Sequence, residues 1–493
     1  MKNSKLKFIN FLTAFCLSLG ALCLPAAAQE MPPAPSAPRS VQIPAVREQK
    51  LKNGLMVAVV ERKNVPLVTV QILVKSGAEM EAMDKAGLAN MTAALLTKGT
   101  KTRTATQIAE EMEFLGGSIN AGAGWNNSIV TITAMSDKLD EALAIMADAV
   151  LNPAFKQEEI DLLKTQTLDG LTYNLKQPGF LATYVASRYS FGEHPAGGTP
   201  NSLNSITRED IANFHQKIYA PVNAVLIFTG DISSKKAKKL AKKHFGEWNG
   251  TGFTRAGGTG QGNGVGSTTQ SALFRRILVL DLPNSGQASV NYAKNLSASG
   301  RAGTQYYPAS VLNSLLGGGY SSRLNQEIRI KRGLSYGAGS GFAWRSTKSN
   351  FSTRTQTKNE SAAEVAELVM AEIKKLTEGS IADTELNPRK SVLTGNFGRN
   401  LETTGGLAAQ IADLYSFGIS PAELNAYMNS VQTVSDKQIR DFASANLSGG
   451  DIIIVGDYAK FKDDLAKRFP GTSIEVIKAD ELDINKDNLR KSN

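Results

Sequence analysis

Two stretches of this chain, far apart in sequence, end the same way. SITREDIANF (205–214) leads into AVLIFTGDIS (224–233), and TVSDKQIRDF (433–442) leads into DIIIVGDYAK (451–460). Each pairs an amphipathic helix with a short apolar run closed by Gly-Asp, the pattern of a buried strand that ends in a turn. A unit of roughly two hundred residues used twice is an internal duplication, and it limits the architecture to two similar domains in tandem.

The order of elements inside each copy supports this. In the first, Asn53-Gly54 signals a hairpin, Leu55–Val60 and Leu67–Val74 are apolar strands, and helices are expected at Thr104–Leu115, Ser136–Val150 and Gln157–Leu171. In the second, strands at Arg276–Asp281 and Gln287–Tyr292 precede a helix at Tyr307–Leu316, and further helices are expected at Ala362–Leu376 and Ile381–Asn400. Between the copies, residues 250–270 turn glycine- and threonine-rich and read as a flexible linker. The expected layout is a first domain over 43–249, the linker, a second domain over 271–479, and a loose charged tail over 480–493.

Residues 1–28 have the make-up of a secretory signal peptide: Lys2, Lys5 and Lys7, an apolar stretch from Phe8 to Leu24, and a small-residue site at Ala26-Ala27-Ala28. A Pro-rich leader follows over 29–42. Cys16 and Cys23, the only cysteines, both lie in the signal. The expected mature protein is therefore exported, to a periplasm or beyond the cell, after cleavage near Ala28, without disulfides and without a membrane span. The formal charge of +10 includes the three leader lysines, which leaves the mature chain near +7. Apart from a lysine-rich helix over Lys235–Lys243 the charge is dispersed, and no aromatic platform or nucleic-acid motif accompanies it. Nucleic acid is not an expected partner.

Residues 315–342, LLGGGYSSRLNQEIRIKRGLSYGAGSGF, carry the densest local signals. Ser321 and Ser322 are placed to cap a helix, with Arg323 and Glu327 four apart along it and Lys331 and Arg332 in its last turn. Gly333 is the expected left-handed stop. Leu334, Tyr336, Ala338, Ser340 and Phe342 then fall at every second position, as in a strand. A helix reversing at Gly333 into that strand would bring Arg329 and Tyr336 near each other.

This stretch resembles the C-terminal half of the pitrilysin/insulinase metallopeptidases, whose pattern here runs G-G-G-x-S-S-R-L-x-x-x-x-R-x-x-x-x-L-x-Y and whose zinc motif is the inverted H-x-x-E-H. The resemblance covers about residues 43 to 475. It implies an α+β fold of two homologous domains, each a largely antiparallel sheet backed by helices, in a family whose domains enclose a peptide chamber. The zinc segment of active members, A-G-L-A-H-x-x-E-H-x-L-x-x-G-T, is similar to residues 86–100, AGLANMTAALLTKGT. The two histidines fall on Asn90 and Ala94 and the catalytic glutamate on Ala93. Zinc takes imidazole, thiolate or carboxylate ligands, and a methyl group offers neither a ligand nor a base. The third family ligand falls at Asp169 or Gly170, and the mature chain's His194, His215 and His244 form no paired motif.

The resemblance therefore implies a chain that binds no metal and no cofactor, expected to be inactive alone. Its implied partner is a subunit of similar length that bears H-x-x-E-H and the zinc. Arg329 and Tyr336 would complete that partner's site in trans, Tyr336 donating to the forming oxyanion and Arg329 holding a substrate carbonyl. Asn120 and Ala121, in the strand opened by Gly116-Gly117, fall where relatives pair an edge strand with extended peptide. The alternative is a catalytically inert peptide-binding or scaffold protein of the same fold.

Overall fold

The computed structural model describes residue 43, residues 45–250 and 252, and residues 274–296, 300–346, 348–486 and 488–491. The signal, the Pro-rich leader and nearly all of the linker expected above lie outside the described residues. Residues 40–493 form one compact unit.

Strands β1 (Arg47–Lys50), β2 (Met56–Glu61), β3 (Leu67–Val74), β4 (Ser118–Ala123), β5 (Ser128–Met135) and β6 (Ala224–Gly230) form a sheet in the order β1-β2-β6-β3-β5-β4. Strands β7 (Phe274–Asp281), β8 (Ala288–Leu296), β9 (Ala338–Ala343), β10 (Ser349–Thr357), β11 (Gly450–Gly456) and β12 (Ile474–Lys478) form a second, in the order β12-β7-β11-β8-β10-β9. Five positions correspond one to one, with β6 and β11 central in each. The sixth differs: β1 lies antiparallel to β2, whereas β12 lies parallel to β7. Both sheets are mixed and largely antiparallel, so the fold is the duplicated α+β architecture. β6 and β11 are buried at every residue, which is why AVLIFTG and GDIIIVG carry no polar alternation.

The sheets are covered by an exchange of helices. Helix Thr404–Ser416, from the second half, packs on β3 and β6 of the first sheet. There Leu407, Ala408 and Ile411 meet Ala58, Val60, Val225 and Ile227 in one apolar cluster. Thr404 ties its start, its Oγ1 2.8 Å from Thr69 Oγ1 and its carbonyl accepting from Thr229 Oγ1 at 2.7 Å. Asn127 Nδ2 holds its end by donating to Ser416 Oγ at 2.9 Å. In return, helix Pro178–Tyr189 of the first half packs on β8 and β11. Arg276 lies 3.6 Å over the Tyr189 ring and donates to the Tyr189 carbonyl at 2.8 Å.

The charged tail is seated rather than loose. Leu489 and Ile484 are buried in the first core, Asp483 N donates to the Leu489 carbonyl, and Arg490 donates to the Val476 carbonyl at 2.8 Å. Two apolar residues spaced along an otherwise polar segment are enough to anchor it.

Candidate functional site

The segment equivalent to a zinc helix is a helix, Leu88–Leu95, and its start is organised by a carboxylate. Glu81, whose side chain is fully buried, accepts from Gly87 N at 2.9 Å and Ala89 N at 2.5 Å. Both N–H groups belong to the unpaired first turn of the helix. Burial nevertheless pushes the Glu81 carboxyl up to about 7, against the lowering effect of those two hydrogen bonds. His194 Nε2 lies 3.7 Å from Glu81 Oε2 and its ring 5.0 Å from that of Trp125, so this loop histidine is a buried packing residue. Burial holds its pKa below the ordinary value.

The residues on this helix do not fit a zinc ion. Asn90 spends its amide N–H on the Ala196 carbonyl at 2.8 Å. Ala93 is fully buried, Ala94 offers only a methyl group, and Asp169 stands exposed on helix Gln157–Asn174. Among the described residues no group of three or more His, Cys, Asp or Glu could hold a metal ion.

The second-half stretch differs from its sequence reading in four respects. Asn325–Ile330 is π-helical, with Lys331 N donating to the Gln326 carbonyl five residues back. Such turns insert one residue into a helix and re-aim its side chains. Neither serine acts as the expected side-chain cap: Ser322 Oγ donates to the Gly319 carbonyl, and Ser321 Oγ accepts from Arg389. Arg323 does not pair along the helix with Glu327 but forms a fork with Glu385, at 2.8 and 2.7 Å. Glu327 is taken instead by Lys331 and Arg332.

Gly333 adopts the left-handed conformation, φ 64°, but the strand starts at Ala338 rather than Leu334. The physical cause is local. Ser335 Oγ donates to the Gly337 carbonyl at 2.7 Å and accepts from Gly337 N at 3.0 Å, closing a turn over Tyr336 that competes with extended pairing. Tyr336 therefore stands at a loop tip, 91% exposed. The Arg329 guanidinium sits 5.0 Å over the Tyr320 ring. Among the described residues neither the Arg329 nor the Tyr336 side chain makes a hydrogen bond or ion pair, with each other or with another residue.

Tyr336 borders a cavity of about 510 Å³ walled by both halves: Phe180 and Thr183 from the first, Gln287, Arg354 and Gln356 from the second. Phe180 and Thr183 also border a second cavity of about 390 Å³, which runs past Gly170 and Leu171 to Ala196, the residue bonded by Asn90. Helix Pro178–Tyr189 thus borders both the Tyr336 cavity and the one that reaches Ala196. Its Pro178-Gly179 start was the available sequence signal, since proline suits the first helical position. Arg354, Glu81 and Phe180 belong to no local motif. Asn120 and Ala121 lie on β4, an edge of the first sheet, paired to Thr131 and Val130 and partly open to solvent.

Duplicated sheets, an altered H-x-x-E-H helix and the Arg/Tyr stretch together define a metallopeptidase fold without its metal ligands. The chain belongs to the insulinase family, peptidase family M16: residues 56–176 match its Insulinase (Peptidase family M16) signature, and 205–393 match the Peptidase M16 inactive domain. Within it this is a non-catalytic member. It is 28% identical over 385 residues to an "uncharacterized zinc protease" of Rickettsia bellii, covering 76% of this chain and 89% of that one. It is 23% identical over 425 residues to the "non-peptidase homolog YmxG" of Helicobacter pylori, covering 84% and 94%. The crystal structure of a peptidase M16 inactive domain from Pseudomonas fluorescens superposes with TM-score 0.74 at 24% identity, over 83% of this chain and 98% of that chain, a likeness of fold.

Proposed function

We propose that this chain is the non-catalytic subunit of a heterodimeric, periplasmic zinc peptidase. The partner subunit, a chain of similar length with an intact H-x-x-E-H helix, carries the zinc, and this chain binds neither metal nor cofactor. Arg329 and Tyr336 act in trans on peptide bound between the two. The observation that carries this reading is Tyr336: its phenol is 91% exposed at the mouth of a cavity and has no partner within the described protein. A tyrosine that served only packing would bury its ring; this one is presented to a ligand. In the reaction the Tyr336 hydroxyl donates to the peptide oxygen as it gains negative charge, and Arg329 orients a neighbouring backbone carbonyl. The open edge of β4 at Asn120 and Ala121 offers backbone groups to extended substrate.

The test is reconstitution. Mixing the mature chain with the H-x-x-E-H partner should generate peptidase activity that neither shows alone. Tyr336→Phe should lower kcat by about 10²–10³, the usual effect of losing one oxyanion donor, with assembly unchanged. Normal turnover by the assembled variant would overturn the proposal in favour of an inert scaffold.

A further inference from the structure

The cavity beside Tyr336 contains one charge and nothing to balance it. Among its lining residues Arg354 is the only ionisable group besides the phenol, and no carboxylate faces it. Arg354 is exposed on β10, and its side chain makes no ion pair or hydrogen bond among the described residues. Other arginines of the same half are engaged: Arg276 and Arg275 with Asp451, Arg301 with Asp413 and Glu423, Arg323 with Glu385, Arg345 with Glu193.

The strand also makes room for it. On the β9 side Arg354 lies opposite Gly339, which presents no side chain. On the β8 side the ladder is interrupted between Ser352↔Ala293 and Thr355↔Val290, where Thr353 Oγ1 accepts the Tyr292 N–H at 2.9 Å. Around the guanidinium stand two amides, Gln287 and Gln356, and the apolar ring of Phe180.

We propose that Arg354 is a specificity-determining residue that anchors a peptide carboxylate in this cavity. A guanidinium presents a planar fork that matches a carboxylate at two points, and in a partly enclosed wall it outcompetes the neutral amides around it. The inference rests on the peptide-binding reading above but needs no partner subunit. The carboxylate is either an acidic side chain or the chain-terminal group of the peptide.

The experiment measures binding of fluorescein-labelled octapeptides to the purified mature chain by anisotropy at low ionic strength. Four peptides of otherwise one sequence are compared, with an internal Glu or Gln and with a free or amidated C-terminus. One of the two carboxylates should strengthen binding about tenfold or more. Arg354→Gln should reduce that preference to within about twofold while Arg354→Lys retains part of it, as for a point charge without the fork. If all four peptides bind equally, or if Arg354→Gln leaves the preference intact, the anchor is overturned while peptide binding stands. If no peptide binds at all, the anchor falls, and peptide held only between two subunits is decided by the reconstitution test. Exposure of Arg354 makes a folding defect in these variants readable as a shift in melting temperature.

Discussion

Glu81 does two opposed things at once. It closes the first turn of helix Leu88–Leu95 with two hydrogen bonds, yet it sits where ionisation is disfavoured, and its carboxyl is pushed up from 4.5 to about 7. The folded state therefore binds this proton more tightly than the unfolded chain does. The stabilisation is fully present below the unfolded value and is lost as pH rises through the folded one. At about 1.4 kcal/mol per pH unit, it amounts to on the order of 3 kcal/mol. Urea denaturation of wild type and Glu81→Gln should show a stability difference that grows in favour of wild type from about pH 8 down to about pH 5. A pH-independent difference would show that Glu81 is ionised throughout. At this scale much was legible in advance: positions 90, 93 and 94 share a helix face, so reading them as asparagine and alanine already removed the ligands and the base. The Tyr336 loop was not, because alternating residues on either side of a serine turn have the same period as a strand.

Elements fared differently according to whether local rules alone decide them. The repeated strand that ends in Gly-Asp closes each sheet's centre, and its glycine is required. Gly230 has φ 133°, and a Cβ there would stand 2.1 Å from the Leu67 carbonyl oxygen. Gly230→Ala should destabilise the protein by about 1–3 kcal/mol, the usual cost of forcing a side chain into a glycine-only conformation, and more if β3 is displaced. A denaturation midpoint equal to wild type would refute this. The left-handed stop at Gly333 follows from a rule of the same kind, whereas helix Asp383–Asn400 runs through Pro388 against local preference. The π-helical turns over Asn325–Ile330 follow from no such rule. One inserted residue changes hydrogen bonding from four back to five back without altering composition or apolar spacing enough to register. The Arg323–Glu385 fork is also out of reach of local rules, since its partners are 62 residues apart.

For the whole molecule, the two-fold repetition was visible in the chain and the exchange of helices was not. Leu407 and Ile411 of the second half look like the apolar face of any amphipathic helix, and nothing in their spacing says which sheet they cover. Leu407 is 1% exposed against first-half strands. Leu407→Ala should therefore cost about 2–5 kcal/mol and lower the stability of both halves together. If protease resistance fell in one half only, the halves would be energetically separate. Because each half keeps part of the other's core, parting the two halves would expose Leu407 and Ile411 to water, a cost that opposes gaping within the chain. In a two-chain peptidase, admission of substrate would then be timed by how often the neighbouring subunit swings aside, and turnover would respond to cross-links between subunits but not to cross-links within this one.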